Sequence, residues 1–328
     1  MIEKKRQKNI SHKLIAMALA AIICVGVGGT TASAATVNSD RETPYNISRI
    51  ANTNEYPDYT EEGISLSRDY RSLAAVNNKS IYAYTRKSVY INGRSLSKHA
   101  LLINGICYIP FRQAANAIGA SYSYNSSAKT STMTSRGLTL TAGAGCYTVY
   151  ANDRPLFATS PVVIMSDGAM YIPADSFAKA VGMKVDNSYS VSINGSYSPL
   201  KSAASYYRED ELLWLARIIH AESQGEPLLG KIAVGNVVLN RVRSKDYPNT
   251  IYGVIFDRKY GVQFSPILDG SIYNAPTSSA VVAAKICLEG FNVNQGALFF
   301  LYPRASTSSW IPNNRTYLFS IGKHDFYA

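Results

Sequence analysis

Two carboxylates four residues apart, Glu222 and Glu226, are the side chains whose type and spacing most invite chemistry in this 328-residue chain. A pair of carboxyl groups flanking a glycosidic bond can divide acid, base and nucleophile roles between them, in inverting or retaining hydrolysis. The surrounding pattern places them on different elements. Glu209 to Glu222 sets Leu212, Leu213, Leu215, Ile218 and Ile219 at helical spacing, with Asp210 and Glu211 near the start, where the helix dipole favours acids. That helix should stop near Gly225. Pro227 then suits the first turn of a second helix running through Ile232, Val234, Val237, Val238 and Leu239 to Arg243. Glu222 thus ends one helix beside a turn, a place that on spacing alone favours a merely solvated acid over a catalytic one. The turn leaves the direction of Glu226 open, and bracing the turn or touching substrate fits it better than a second catalytic role.

Two other patterns overlap this turn and fail on physical grounds. Gly225-Glu226-Pro227-Leu228-Leu229-Gly230-Lys231 fits half of a phosphate-binding loop. Yet Ile232 stands where a Ser or Thr would hold Mg²⁺, Glu226 would repel phosphate, and Pro227 has no N–H to donate. His220-Ala221-Glu222 matches the H-x-E of zinc deaminases, but the C-x-x-C pair those enzymes need is missing from the sequence. A zinc amidase needs about three protein ligands, and past the N-terminal leader only His99, His220 and His324 are on offer, without metal-ligand spacing. No metal and no cofactor are expected. Cys287 falls in Ala283 to Leu288, a buried helix face rather than the setting of a thiol nucleophile. Cys107 and Cys146 fit one disulfide or two small buried residues, and the odd count rules out a disulfide framework.

The elements that must carry these residues follow a leader. Residues 1–13 hold Lys4, Lys5, Arg6, Lys8 and Lys13 against Glu3; an uncharged run from Leu14 to Val27 and Ala32-Ser33-Ala34 complete an export signal cleaved after Ala34. The apolar run is shorter than the roughly 20 residues of a spanning helix, so no stable membrane insertion is expected once the signal is removed. Residues 35–84 are polar and without period, a linker. Next comes a repeat. Val89-Tyr90-Ile91-Asn92-Gly93-Arg94 returns as Val149-Tyr150-Ala151-Asn152-Asp153-Arg154, and Cys107-Tyr108-Ile109-Pro110 as Met170-Tyr171-Ile172-Pro173, at offsets of 60 and 63 residues. Each copy reads as a hairpin turned at Asn-Gly or Asn-Asp, a strand, then a short helix begun after Pro and stopped at Gly119 or Gly182. Over 85–195 this order resembles the copper amine oxidase N-terminal-like domain of exported Gram-positive proteins. That name implies no metal here, because His99 is the sole histidine of the region. Its many tyrosines could stack on sugars, though packing of strands is the favoured reading.

After a joint at 196–206 comes Ala216-Arg217-Ile218-Ile219-His220-Ala221-Glu222-Ser223-Gln224-Gly225-Glu226-Pro227, with Gly230, Ala233 and Val238-Leu239-Asn240-Arg241. In order there follow Gln263-Phe264-Ser265-Pro266, Ala297-Leu298-Phe299-Phe300, Pro303, Ala305 to Trp310, and Ile321-Gly322-Lys323-His324-Asp325-Phe326. Over 207–328 this ordered set resembles a cell wall hydrolase family, the spore-cortex-lytic enzymes of SleB and CwlJ type. The resemblance implies an α+β chain: a mostly helical, lysozyme-like catalytic domain preceded by a smaller α+β tandem-repeat domain. It further implies cleavage of peptidoglycan between MurNAc and GlcNAc, as a lytic transglycosylase, with Glu222 as catalytic acid and base. For that Glu222 must keep its proton well above the ordinary value of about 4.3, which apolar neighbours and a helix C-terminus favour. Glu226, Gln263, Phe264, Ser265, Tyr302 and Trp310 are the expected substrate contacts, with packing the alternative for the aromatics. His220 should diverge from Glu222, and His324 has no readable role. Gln224 and Leu301-Tyr302 depart from the family's usual Arg and Tyr-Asn, which bears on subsite preference. An N-acetylmuramoyl-L-alanine amidase and a non-catalytic wall-binding protein are the competing readings.

Charge agrees with an anionic wall partner. The chain carries 33 Lys+Arg against 22 Asp+Glu, and loss of the leader leaves 28 against 21. Residues 35–205 hold 16 basic and 11 acidic groups, 206–328 hold 12 and 10, so most of the surplus lies before the hydrolase-like part. No nucleic-acid motif accompanies it. Secretion to the wall of a Gram-positive-type cell is the expected location.

Overall fold

The computed structural model describes residues 84–328 apart from 104, 260, 307 and 308. The expected signal over 1–34, with Cys24, and all but the last residue of the linker over 35–84 lie outside the described residues. Among those described, no helix is long and apolar enough to cross a membrane. Two compact units divide between Tyr207 and Arg208.

The first unit is built from the two copies of the repeat. Strands β1 (Thr85–Lys87), β2 (Val89–Ile91), β3 (Arg94–Ser95), β4 (Ala100–Ile103) and β5 (Ile106–Pro110) lead into α1 (Phe111–Ala117), β6 (Ser121–Asn125), β7 (Thr130–Ser135) and β8 (Leu138–Gly143). The second copy runs β9 (Thr148–Ala151), β10 (Arg154–Phe157), β11 (Val163–Ile164), β12 (Met170–Pro173), α2 (Ala174–Val181), β13 (Lys184–Asp186) and β14 (Val191–Asn194), followed by α3 (Ala203–Tyr206). Both hairpin turns need positive φ at two successive residues, and Asn92-Gly93 (48° and 76°) and Asn152-Asp153 (49° and 64°) supply it. Pro110 and Pro173 precede the two helices, and α2 stops at Gly182 in the left-handed region.

The copies complete one another. Strand β12 pairs antiparallel with β5, Ile172 opposite Ile109, while β14 of the second copy lies parallel to β2 of the first. The β9–β10 hairpin in turn joins the first copy's sheet through β8, a strand without counterpart in the second copy. Ile109, Phe111, Ile172 and Phe177 are fully buried where the copies meet, so each copy's apolar face is covered by the other. Tyr108 and Tyr171 are buried too, which makes them sheet packing rather than a sugar platform.

The second unit begins with α4 (Glu209–Ser223), whose acidic first turn Glu209-Asp210-Glu211 meets the positive end of its dipole, and continues in α5 (Leu228–Arg243). Both are packed by α8 (Ser278–Leu288), after the short helices α6 (Ile251–Ile255) and α7 (Pro266–Asp269) and a 3-10 turn at Ser271–Tyr273. At Gly235 the three long helices come close together: a Cβ there would sit 2.7 Å from Ile219 Cδ1 and 2.8 Å from Cys287 Sγ. Strand β15 (Phe299–Leu301), helix α9 (Trp310–Asn314) and strands β16 (Tyr317–Ile321) and β17 (His324–Tyr327) follow, forming an antiparallel sheet in the order β15-β17-β16. Two buried asparagines of α5 hold the approach to this sheet. Asn240 donates to the carbonyls of Asn294 and Ala297, both at 2.9 Å, and Asn236 accepts from the Val293 N–H at 2.8 Å.

Candidate active site

Glu222 lies in the last turn of α4, half-buried, on a cavity of about 250 Å³ that α5, the 262–265 loop, β15 and β17 enclose. Its carboxyl is pushed up to about 7 from an ordinary 4.5. Burial is the largest cause and the negative charge of Asp269 on α7 the second, while Arg241 pulls the other way. No hydrogen bond enters this balance. The result is a carboxylic acid that is still about half protonated at neutral pH, and it is the one carboxyl lining the cavity among the described residues.

Of the expected substrate contacts, Gln263, Phe264, Ser265 and Tyr302 line the cavity with it. The loop that delivers the first three is held by Phe264, buried against Phe300 of β15 with ring centres 6.5 Å apart, and by Pro266, which opens α7 directly after Ser265. Tyr302 follows β15 directly.

Two expected contacts are elsewhere. Glu226 is 6% exposed and does not line the cavity. Its Oε2 accepts the Lys323 N–H at 2.9 Å and lies 4.0 Å from His324 Nδ1, while its backbone carbonyl takes the Lys231 ammonium at 2.8 Å. The β16–β17 hairpin turns at Gly322-Lys323, and Gly322 (φ 59°) leaves the room: a Cβ there would fall 1.9 Å from Glu226 Oε2. Glu226 therefore clasps the α4–α5 turn to that hairpin, the bracing role, and its carboxylate is already engaged inside the protein. Trp310 also lies outside the lining. It packs on Phe299, Leu301 and Ile311 with the Arg315 guanidinium 5.2 Å from its ring, which makes it a structural aromatic. Its chain neighbour Ile311 reaches the cavity instead.

Among the cavity residues to which the sequence assigned no role are Arg241, Phe300 and His324. Arg241 is brought from α5, its Nε donating to the Leu298 carbonyl at 2.8 Å. His324 is brought by β17, its proton affinity lowered chiefly by burial and partly restored by Glu226, so it stands neutral at pH 7. Arg241 and His324 lie in stretches that resemble the family, Asn240-Arg241 and Lys323-His324, but only the folded chain brings them to the cavity that Glu222 lines. His220 diverges from Glu222 as its spacing predicts and lies outside the cavity lining; burial lowers its affinity for a proton as well.

Cys107, Cys146 and Cys287 are free. Burial raises the Cys146 thiol to about 11 and the Cys287 thiol still further, conditions that suppress a thiolate nucleophile. Among the described residues no three His, Cys, Asp or Glu side chains converge as metal ligands would.

Residues 225–327 match the model of the Cell Wall Hydrolase family, and residues 90–193 that of the copper amine oxidase N-terminal domain. Over 120 residues the chain is 38% identical to a spore cortex-lytic enzyme of Bacillus cereus, a stretch that is 37% of this chain and 45% of that relative. It is 29% identical over 132 residues to the cell wall hydrolase CwlJ of Oceanobacillus iheyensis, 37% of this chain and 89% of that one. Among solved structures, the catalytic domain of the germination-specific lytic transglycosylase SleB from Bacillus anthracis is 38% identical, over 37% of this chain and 97% of that one, with a TM-score of 0.34. The chain spans less than half the length of the spore cortex-lytic enzyme it matches at 38% identity.

Proposed function

We propose, from the premise that this chain belongs through residues 225–327 to the cell wall hydrolase family, that it degrades peptidoglycan by cutting the glycan strand between MurNAc and GlcNAc as a lytic transglycosylase. The observation that carries this reading is Glu222: the single carboxyl on the cavity among the described residues, holding its proton up to about pH 7. One such group suffices when the second nucleophile is part of the substrate.

Glu222 gives its proton to the bridging oxygen as the bond from that oxygen to C1 of MurNAc breaks, and GlcNAc departs with a 4-hydroxyl. The sugar left behind gains oxocarbenium character at C1. Its own C6 hydroxyl attacks C1 and passes its proton to the Glu222 carboxylate, which closes the 1,6-anhydro ring and restores the acid. Gln263, Ser265 and Tyr302 offer hydrogen bonds to sugar hydroxyl and acetamido groups, and Phe264 and Phe300 give the cavity an apolar wall. Neutral His324 neither repels nor replaces the acid. In the same reading the repeat unit, with most of the basic surplus, holds the enzyme on an anionic wall after export.

Incubation with purified peptidoglycan and mass spectrometry of the soluble products tests it. Anhydro-muramic ends that vanish in Glu222→Gln are expected. Reducing ends would make the enzyme a hydrolase and bring Asp269, the acid that acts on Glu222, forward as the second carboxylate. Free stem peptides would establish an amidase, and tight wall binding without products a binding protein.

A further inference from the structure

We propose that Arg241 is a positioning residue for the acid: its fixed guanidinium is the counter-charge that receives the Glu222 carboxylate formed when the proton leaves. The inference rests on Glu222 acting as the acid. Arg241 is 5% exposed and lines the same cavity. Its plane is immobilised by the Nε bond to the Leu298 carbonyl and by the rings of Tyr247, Phe264 and Phe299, whose centres lie 5.1, 5.2 and 5.4 Å from its central carbon. Nη1 is buried with no hydrogen-bond partner. A buried guanidinium without a carboxylate in contact is costly, and proteins retain one where a negative charge is present or will be made. The proposed reaction makes one at Glu222.

The groups that face this pair come from five other segments. Asp269 on α7 acts on Glu222; Tyr247 after α5 and Asp257 after α6 act on Arg241; His324 on β17 and Tyr302 after β15 line the cavity. In the resting enzyme burial and Asp269 outweigh Arg241, so the acid stays loaded. Once the proton has moved, the attraction of Arg241 is present without any side chain having to rearrange, and it holds the carboxylate ready to take the C6 hydroxyl proton.

Removing Arg241 deletes the one influence that pulls Glu222 down, so the acid should hold its proton more tightly and the carboxylate intermediate lose its partner. The test measures Glu222 titration by carboxyl ¹³C NMR in the full-length chain without substrate, with Glu222→Gln for assignment, alongside the pH profile of turnover on peptidoglycan. Arg241→Met should move the titration and the alkaline limb up by about one pH unit and lower kcat about tenfold, with KM little changed. Arg241→Lys, which keeps a charge, should leave the limb near its wild-type position. Arg241→Gln, which loses the charge but keeps an N–H donor for the Leu298 carbonyl, should move the limb as Arg241→Met does. Should Arg241→Met not fold, Arg241→Gln decides. A Glu222 titration unmoved in a folded Arg241→Met or Arg241→Gln overturns the proposal. The product analysis fails separately: reducing ends or stem peptides would overturn the transglycosylase reading while the titration still reports on Arg241.

Discussion

Replacing Glu222, the proposed acid, should stabilise the protein, by an amount that grows with pH. Glu222 holds its proton to about 7 in the fold against an ordinary 4.5. Between those values the unfolded chain has released a proton that the folded chain keeps, so stability falls as pH rises through the interval. At about 1.4 kcal/mol per pH unit the penalty builds to about 3 kcal/mol above neutrality and vanishes below the ordinary value. Glu222→Gln keeps the shape and never ionises, so it should match the wild type near pH 4 and exceed its stability by about 3 kcal/mol near pH 8. Urea denaturation followed by tryptophan fluorescence is the direct assay, because both tryptophans of the chain, Trp214 and Trp310, belong to the C-terminal unit. A gain that is equal at the two pH values, or a Gln variant less stable at the higher one, would refute the claim that burial keeps this carboxyl protonated.

Two further outcomes follow from the packing around the site. Gly322→Ala should cost about 3 kcal/mol, of which about 1 is left-handed strain and the rest displacement of the Glu226 carboxylate from the Lys323 N–H. In a Glu226→Ala background the same change should cost only the strain, so the pair is non-additive by about 2 kcal/mol in denaturant titration; additivity would mean that the clasp carries no energy. Native protein should leave Cys287 unmodified by iodoacetamide, with labelling appearing on unfolding, since burial both covers the thiol and suppresses its thiolate.

Local chemistry along the chain was enough to read the hairpins at Asn92-Gly93 and Asn152-Asp153, the helices after Pro110 and Pro173, and the two helices flanking the 224–227 turn. Each depends on backbone preferences and apolar periodicity carried within a dozen residues. The same local reading placed Glu222 at the end of a helix, and the family resemblance of the ordered motifs around it made it the candidate acid. It could not assign Glu226 or Trp310, because a side chain that leaves a turn or a short helix acquires its role from what arrives opposite it. For Glu226 that is the Gly322-Lys323 turn, almost a hundred residues on, which engages the carboxylate and removes it from the cavity. Nor could it foresee that β14 would pair with β2, or that Arg241 and His324 would close on Glu222. Strand pairing between copies and convergence of distant side chains are set by which apolar faces cover one another, and a chain decides that only by folding as a whole. The acid is therefore legible as a residue type in a place, while its proton is held by burial and Asp269 against the pull of Arg241, all supplied by tertiary structure.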